Sequence, residues 1–177
     1  MEIIEFKDYL PSLPRYLQDK KDTVLVTADE LYILNGQNDY DKDFCNNNNL
    51  TVLNTHPIGG TIINFAGDIC IGNYQSQHNK FGHDFLETLQ DFLSKKGIQS
   101  TISENDLLID GVYKIASYMS NYTKEKCLYT AIHISINMDL ELIKNICKKT
   151  MSKIPKGLSE YGITSDEMLN FLKEVLW

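Results

Sequence analysis

The sequence has little arginine, no paired cysteines and no long apolar run, and each shortage excludes a class of function. Arg15 is the one arginine, so lysine ammonium or backbone N–H groups would have to bind phosphate in place of a bidentate arginine fork. The four cysteines form no Cys-x-x-Cys pair, which argues against a structural zinc site. Because no run of eighteen apolar residues occurs, no segment is expected to span a membrane.

The composition indicates a globular domain that does not bind nucleic acid. A chain of 177 residues is long enough to bury a core, and we expect a single domain over residues 1–177. Its 24 acidic and 17 basic side chains give a formal net charge of −7, and the basic residues are dispersed, whereas nucleic-acid binding requires clustered ones. The first residues lack the basic and apolar regions of a secretory signal, so a cytoplasmic location is expected.

Periodic apolar residues predict three helices. A period of about 3.6 residues predicts a helix over 79–96. Asp139 is placed to cap a helix over 140–150. Thr164 and Glu167 match a capping box, which predicts the start of the last helix.

Short apolar runs bounded by turn residues predict a series of strands. Strands followed by helices, with several tight turns, indicate an α+β domain with a mostly antiparallel sheet and helices packed on one side. The predicted strands are 24–26, 31–34, 50–54, 61–64, 68–73, 98–102, 106–110, 113–119 and 127–137.

A predicted hairpin over 104–117 contains the most informative lysine of the chain. Asp110-Gly111 between two apolar runs predicts a tight turn, because glycine tolerates a positive φ. Lys114 follows that turn, and strand alternation predicts that it shares a face with Ala116 and Tyr118. On an interior face its ammonium group could bind two anionic groups, whereas an edge-strand lysine would only resist aggregation.

Two glycine-containing turns lie some forty residues earlier. Gly59 and Gly60 would let the backbone approach a ligand and offer N–H donors to phosphate, or would simply form a turn. Gly67 and Asp68 have the same two interpretations.

An Asn-Asp pair precedes the hairpin. Asn105 and Asp106 could contact a ribose or Mg²⁺, since Mg²⁺ needs only one or two carboxylates in addition to phosphate oxygens. The alternative is that they are turn or cap residues.

In this order and spacing, the motifs resemble the catalytic domain shared by lipoate–protein ligases, biotin–protein ligases and octanoyltransferases, with lipoate–protein ligases the most similar. Residues 58–68 align without gaps with the motif Gly-Gly-Gly-Ala-Val-x-His-Asp-x-Gly-Asn. The Asn-Asp, Asp-Gly and lysine of 105–114 resemble the family's pattern around its catalytic lysine. The segments 36–38, 135–140 and 158–160 resemble further family motifs.

The resemblance implies a biotin/lipoate ligase-like fold and a two-step ligase reaction. Lipoate or a related acyl acid would react with ATP to give an acyl-adenylate, and the acyl group would then pass to a lysine of a lipoyl-carrier domain. Lys114 is implied as the catalytic residue and Asp106 as the ligand of Mg²⁺. The implied cofactor-binding residues are Gly59, Gly60, Thr61, Asn64, Gly67, Asp68 and Asn105.

Two other functions remain open at this point. Ile58 replaces the first glycine of the family motif and Asn64-Phe65 replaces its His-Asp, which favours a non-catalytic relative that binds an acyl group, a nucleotide or a partner. An octanoyl or lipoyl transferase without a nucleotide would use Cys147 as its nucleophile, which requires a lowered thiol pKa. Cys147 falls on the apolar side of a predicted helix, and this favours a core cysteine.

Overall fold

The computed structural model describes residues 2–5, 23–35, 39–54, 60–75, 81–122, 128–148 and 150–176. Gly59, Ile58 and the 36–38 motif lie outside the described residues. Within these ranges the chain forms eleven strands, four α-helices and one short 3-10 helix over Leu158–Tyr161. The strands are β1 (Glu2–Glu5), β2 (Thr23–Thr27), β3 (Tyr32–Asn35), β4 (Thr51–Asn54), β5 (Ile62–Asn64), β6 (Ile69–Gln75), β7 (Ser100–Ser103), β8 (Asp106–Ile109), β9 (Tyr113–Tyr122), β10 (Leu128–Ile134) and β11 (Ile154–Pro155); the helices are α1 (Lys42–Asn47), α2 (Phe81–Lys95), α3 (Leu140–Ile146) and α4 (Ser165–Leu176).

The described strands form a large and a small sheet. The large sheet has the order β1-β2-β6-β10-β9-β8-β7, with β11 beside β9, and the small sheet has the order β4-β3-β5. Pairing is antiparallel except for β1 with β2, β11 with β9 and β3 with β4. The predicted α+β fold with a mostly antiparallel sheet is confirmed. The sequence did not anticipate that β2 and β3, joined by a short turn, belong to different sheets.

Helices α2 and α4 cover one face of the large sheet and form the main core. The apolar stripe predicted for α2 is the buried one, because its period matches the helix. Burying each of these large side chains contributes about 1.5–3 kcal/mol. The buried residues of this core include Leu25, Ile71, Leu86, Leu89, Leu93, Leu107, Ile115, Ile132, Met168 and Leu172.

Helices α1 and α3 pack with the small sheet around a second core. This core differs from the predicted arrangement, in which helices lie on one side only, because the apolar faces of α1 and α3 have their own sheet to cover. The buried residues of this core are Ile33, Tyr40, Cys45, Ile63, Ile143 and Ile146.

Two predicted helix starts are confirmed by their caps. The Asp139 carboxylate accepts a hydrogen bond from the Leu142 N–H at 2.9 Å, and the Thr164 hydroxyl accepts one from Glu167 N–H at 3.2 Å. Helix α3 ends at Ile146 rather than near residue 150, because Cys147 is extended and bridges to Tyr40. Within the described ranges, no helix has the length and apolarity needed to cross a lipid bilayer.

Candidate functional site

A cleft of about 590 Å³ separates the two sheets. It lies on the face of the large sheet opposite α2 and α4, and the small sheet and α3 form its other wall. The apolar residues of the cleft are Ile62, Ile63, Met138, Ile143, Met151 and Pro155, and the polar ones on or near the large sheet are Glu104, Asp106, Lys114, Ser117, His133 and Ser135. The cleft therefore brings apolar side chains, mostly from the small sheet and the segment around α3, opposite ionisable ones of the large sheet.

A β-bulge places Lys114 in this cleft. Leu107 pairs with Ala116 and Leu108 pairs with Lys114, so Ile115 is an extra residue on β9. Beyond the bulge the alternation is reversed: Ser117 lies on the cleft side with Lys114. The prediction that Lys114 shares a face with Ala116 and Tyr118 is wrong, because those two side chains pack into the main core.

The turn before Lys114 has the predicted conformation. Asp110 and Gly111 both have positive φ, at 53° and 69°, which is the backbone that an Asp-Gly hairpin turn requires. This turn fixes the start of β9 and hence the position of Lys114.

Asp106 lies between two lysines in the cleft. The Lys153 Nζ is 2.6 Å from Asp106 Oδ2, and the Lys114 Nζ is 3.8 Å from Asp106 Oδ1. The Lys153 ammonium also donates to the carbonyl of Ser103 at 3.4 Å. Two positive charges and one negative charge meet at Asp106, so this point of the cleft favours an incoming anion, whereas Glu104 elsewhere in the lining does not.

The opposite wall of the cleft is formed by Gly60 and Thr61. The Thr61 N–H donates to the carboxylate of Asp39 at 2.9 Å, and the Thr61 hydroxyl donates to the same oxygen. A Cβ on Gly60 would lie 3.1 Å from Asp39 Oδ2, so the backbone here is close to an acid. Lys114 and Gly60 nevertheless border the same cleft.

Asp68 is buried and does not line the cleft. One carboxylate oxygen accepts from the N–H groups of Ile136 (2.7 Å) and Asn137 (3.1 Å), and the other accepts from Phe65 N–H (2.8 Å). His133 Nε2 lies 3.5 Å from that second oxygen. These contacts make Asp68 the residue that joins the β5–β6 turn to the end of β10.

The structure brings some of the predicted site residues together and separates others. Gly60, Thr61, Asp106 and Lys114 border the cleft. Asn105 is exposed in the turn before β8, where its carbonyl accepts from Tyr118 N–H. Asn64, at the end of β5, and Gly67 and Asp68, in the β5–β6 turn, do not line the cleft.

Cys147 borders the cleft at the end of α3, but its environment opposes a nucleophilic role. Burial, and then the Asp39 carboxylate, raise the pKa of the Cys147 thiol. A nucleophilic cysteine needs a lowered pKa, because the thiolate is the reactive form.

Lys153 and Asp39 are residues of the site that were not predicted from the sequence. Nothing local distinguishes Lys153 from the neighbouring Lys148, Lys149 and Lys156. Only the pairing of β11 with β9 brings it beside Asp106.

Comparisons with known proteins identify the fold of this chain. No family model matches the sequence, and no curated protein matches it. Among solved structures, LipL1 of Plasmodium falciparum in complex with lipoate is similar, with a TM-score of 0.73 and 15% identity over 98% of this chain. This chain spans 60% of the LipL1 chain.

Two further structures agree. A bipartite lipoate protein ligase from Thermoplasma acidophilum, studied with its lipoyl domain, has a TM-score of 0.73 and 15% identity, covering 98% of this chain and 80% of the other. Lipoate-protein ligase A bound with ATP has a TM-score of 0.71 and 16% identity, covering 96% and 79%. The chain thus has the fold of lipoate–protein ligase catalytic domains, and the resemblance is confirmed at the level of fold.

Proposed function

We propose that the cleft activates lipoate or a related acyl acid with ATP and transfers the acyl group to a lysine of a lipoyl-carrier domain. The observation that supports this most directly is the position of Lys114, whose ammonium borders a cleft with an apolar wall and the Gly60 backbone. The ligase fold of the structural neighbours agrees with the proposal.

In the first step the apolar wall would hold the acyl chain, and the acid's carboxylate would lie near Lys114. A carboxylate oxygen attacks the α-phosphorus of ATP, the bond between that phosphorus and the oxygen that bridges the α- and β-phosphates breaks, and pyrophosphate leaves. Lys114 would stabilise this step by contacting both the carboxylate and the α-phosphate, where negative charge is concentrated in the transition state.

In the second step the amine of the carrier lysine attacks the acyl carbon. AMP leaves, an amide forms and the amine loses a proton. Most of the acceleration here would come from holding the two reactants together.

The Mg²⁺ that the sequence predicts at Asp106 does not fit the residues present. Mg²⁺ prefers carboxylate and phosphate oxygens, but both Asp106 oxygens face ammonium groups. Asp106 therefore has no metal-binding role in the proposed reaction.

The non-catalytic alternative has one observation in its favour. The N–H and hydroxyl of Thr61 both donate to Asp39, so donors that could meet a phosphate at the glycine wall are already engaged. Under this alternative the cleft binds lipoate or ATP without turnover.

The proposal is tested by lipoate-dependent AMP formation and by the mass of a lipoyl domain after the reaction. Lys114→Ala should lower AMP formation by about a hundredfold or more, the scale expected when a group that stabilises transition-state charge is removed. Lys144→Ala, on the exposed side of α3, is the control and should keep full activity. Equal turnover in wild type and Lys114→Ala would contradict the proposal, whereas calorimetric binding without turnover would favour the alternative.

A further inference from the structure

Lys153 is held in the cleft by the backbone. Strand β11 pairs in parallel with β9, with Ile154 opposite Tyr113 and Pro155 opposite Lys114. Hydrogen bonds from Ile154 N–H to Val112 and from Lys156 N–H to Lys114 fix this pairing. Lys153 therefore enters the cleft from the strand next to Lys114.

The two lysines share Asp106 unequally. Lys153 contacts Asp106 at 2.6 Å, whereas Lys114 lies at 3.8 Å. Lys153 is also less exposed, at 23% against 38% for Lys114. Because partly buried pairs are screened less by salt, Lys153 is the stronger partner of Asp106, and Lys114 is held less tightly.

We propose that Lys153 is a second anion-binding residue of this cleft and takes the place beside Asp106 that the sequence predicts for Mg²⁺. With a ligand bound, Lys153 and Lys114 together contact the anionic centre formed by the acid's carboxylate and the α-phosphate. In the empty cleft, Asp106 holds both ammonium groups in position. This inference rests on the proposed function, which supplies an anion with two charged groups.

Removing the charge of Asp106 should change ATP binding in opposite directions depending on whether Asp106 binds a metal or restrains two lysines, and this allows a decisive test. If Asp106 binds a metal, removing its charge weakens ATP binding in the presence of Mg²⁺. If Asp106 instead restrains two lysines, the same change leaves a more positive cleft and strengthens anion binding.

The experiment is calorimetric titration of the full chain with ATP, once in Mg²⁺ and once in EDTA, with lipoate present. Lys153→Gln should weaken ATP binding by about tenfold in both conditions, since hydrogen bonds to charged groups are the strong ones. Lys153→Arg should restore most of the affinity, and Asp106→Asn should tighten binding several-fold in EDTA. Lys144→Gln removes the same charge from the exposed side of α3 and should change nothing.

Three results would overturn the inference. They are an unchanged ATP affinity in Lys153→Gln, weaker ATP binding by Asp106→Asn in Mg²⁺ but not in EDTA, and no binding of ATP by the wild type. Thermal melts establish that each variant is folded. If Lys153→Gln does not fold, the inference would be overturned by weaker ATP binding in both folded Lys153→Arg and Asp106→Asn. AMP formation is measured separately. If the Lys153 variants change ATP binding but the wild type forms no AMP, this inference stands and the ligase proposal is refuted. If the wild type forms AMP and Lys153→Gln forms it equally well, the ligase proposal stands and this inference is refuted.

Discussion

Two regions predicted to bind the same ligand differ in what surrounds their acids. The first, which we call the buried turn, comprises residues 64–68, and its Asp68 is fully enclosed and bonded to three backbone N–H groups. The second comprises the cleft residues of 104–117, and its Asp106 faces two lysines at the edge of solvent. An acid next to a turn can therefore either hold the chain together or border a cleft, and the two cases differ in the burial of the carboxylate and in its partners, which are backbone N–H groups for Asp68 and lysines for Asp106.

The largest effect is expected from removing the buried acid. Asp68→Ala leaves three N–H groups without their acceptor, and the loss should destabilise the protein by about 3 kcal/mol or more. Asp106→Ala, at a partly exposed ion pair, should cost about 1 kcal/mol or less. Urea titration followed by circular dichroism measures both.

Similar stability losses in the two variants would remove the distinction between the regions. Asp68→Asn serves as a matched control, because the amide keeps the shape and one acceptor oxygen. Asp68→Asn should lose less unfolding free energy, relative to wild type, than Asp68→Ala.

Two glycines, Gly67 in the buried turn and Gly60 on the wall of the cleft, sharpen the comparison at a smaller scale. Gly67 has a φ of 92°, and a Cβ there would lie 2.5 Å from the hydroxyl of Ser165 and 2.8 Å from the side chain of Asn137. Gly67→Ala should cost about 2 kcal/mol, from the positive φ and the crowding together. Thermal unfolding measures this loss.

Gly60 lies on the cleft wall and provides the counterpart. A Cβ there meets only Asp39 Oδ2 at 3.1 Å, so Gly60→Ala should cost about 1 kcal/mol or less. Its effect should instead be seen as weaker binding of ATP and lipoate. A stability loss in Gly60→Ala as large as that in Gly67→Ala would contradict the assignment of Gly60 to the ligand side.

Much of the fold could be predicted from local patterns. The stripe of α2, the Asp139 and Thr164 caps and the Asp110-Gly111 turn all depend on residues within a few positions of each other, and each was found where the sequence placed it. Lys114 and Gly60, two of the residues that the resemblance implies for the site, border the same cleft.

What the sequence did not predict depends on long-range pairing. Whether a strand contains a bulge depends on its neighbour, so strand alternation alone placed Lys114 with Ala116 on one face. The contact between Lys153 and Asp106 spans 47 positions and arises only once β11 lies beside β9. The burial of Asp68 likewise depends on the end of β10, which supplies two of its donors.

The smallest effect is expected in the reactivity of two cysteines, Cys70, which contacts the buried turn, and Cys147, which borders the cleft. Cys70 donates to the side chain of the buried Asn64, and burial, followed by Asp68, raises the pKa of its thiol. Cys147 borders the cleft, and burial, followed by Asp39, raises the pKa of its thiol. A raised pKa lowers the thiolate fraction at pH 7–9, so both should react with iodoacetamide several-fold more slowly than a free thiol, and faster as the pH rises further.

Peptide mapping by mass spectrometry measures each site separately and uses urea-unfolded protein as the reference. Because Cys147 borders an open cleft and Cys70 does not, Cys147 should react before Cys70, and lipoate with ATP should protect Cys147 alone. Rapid alkylation of Cys147 at pH 7 would mean a lowered thiol pKa and would revive the cysteine transferase. Slow alkylation of Cys147 would instead agree with its raised thiol pKa and argue against a cysteine nucleophile in this cleft.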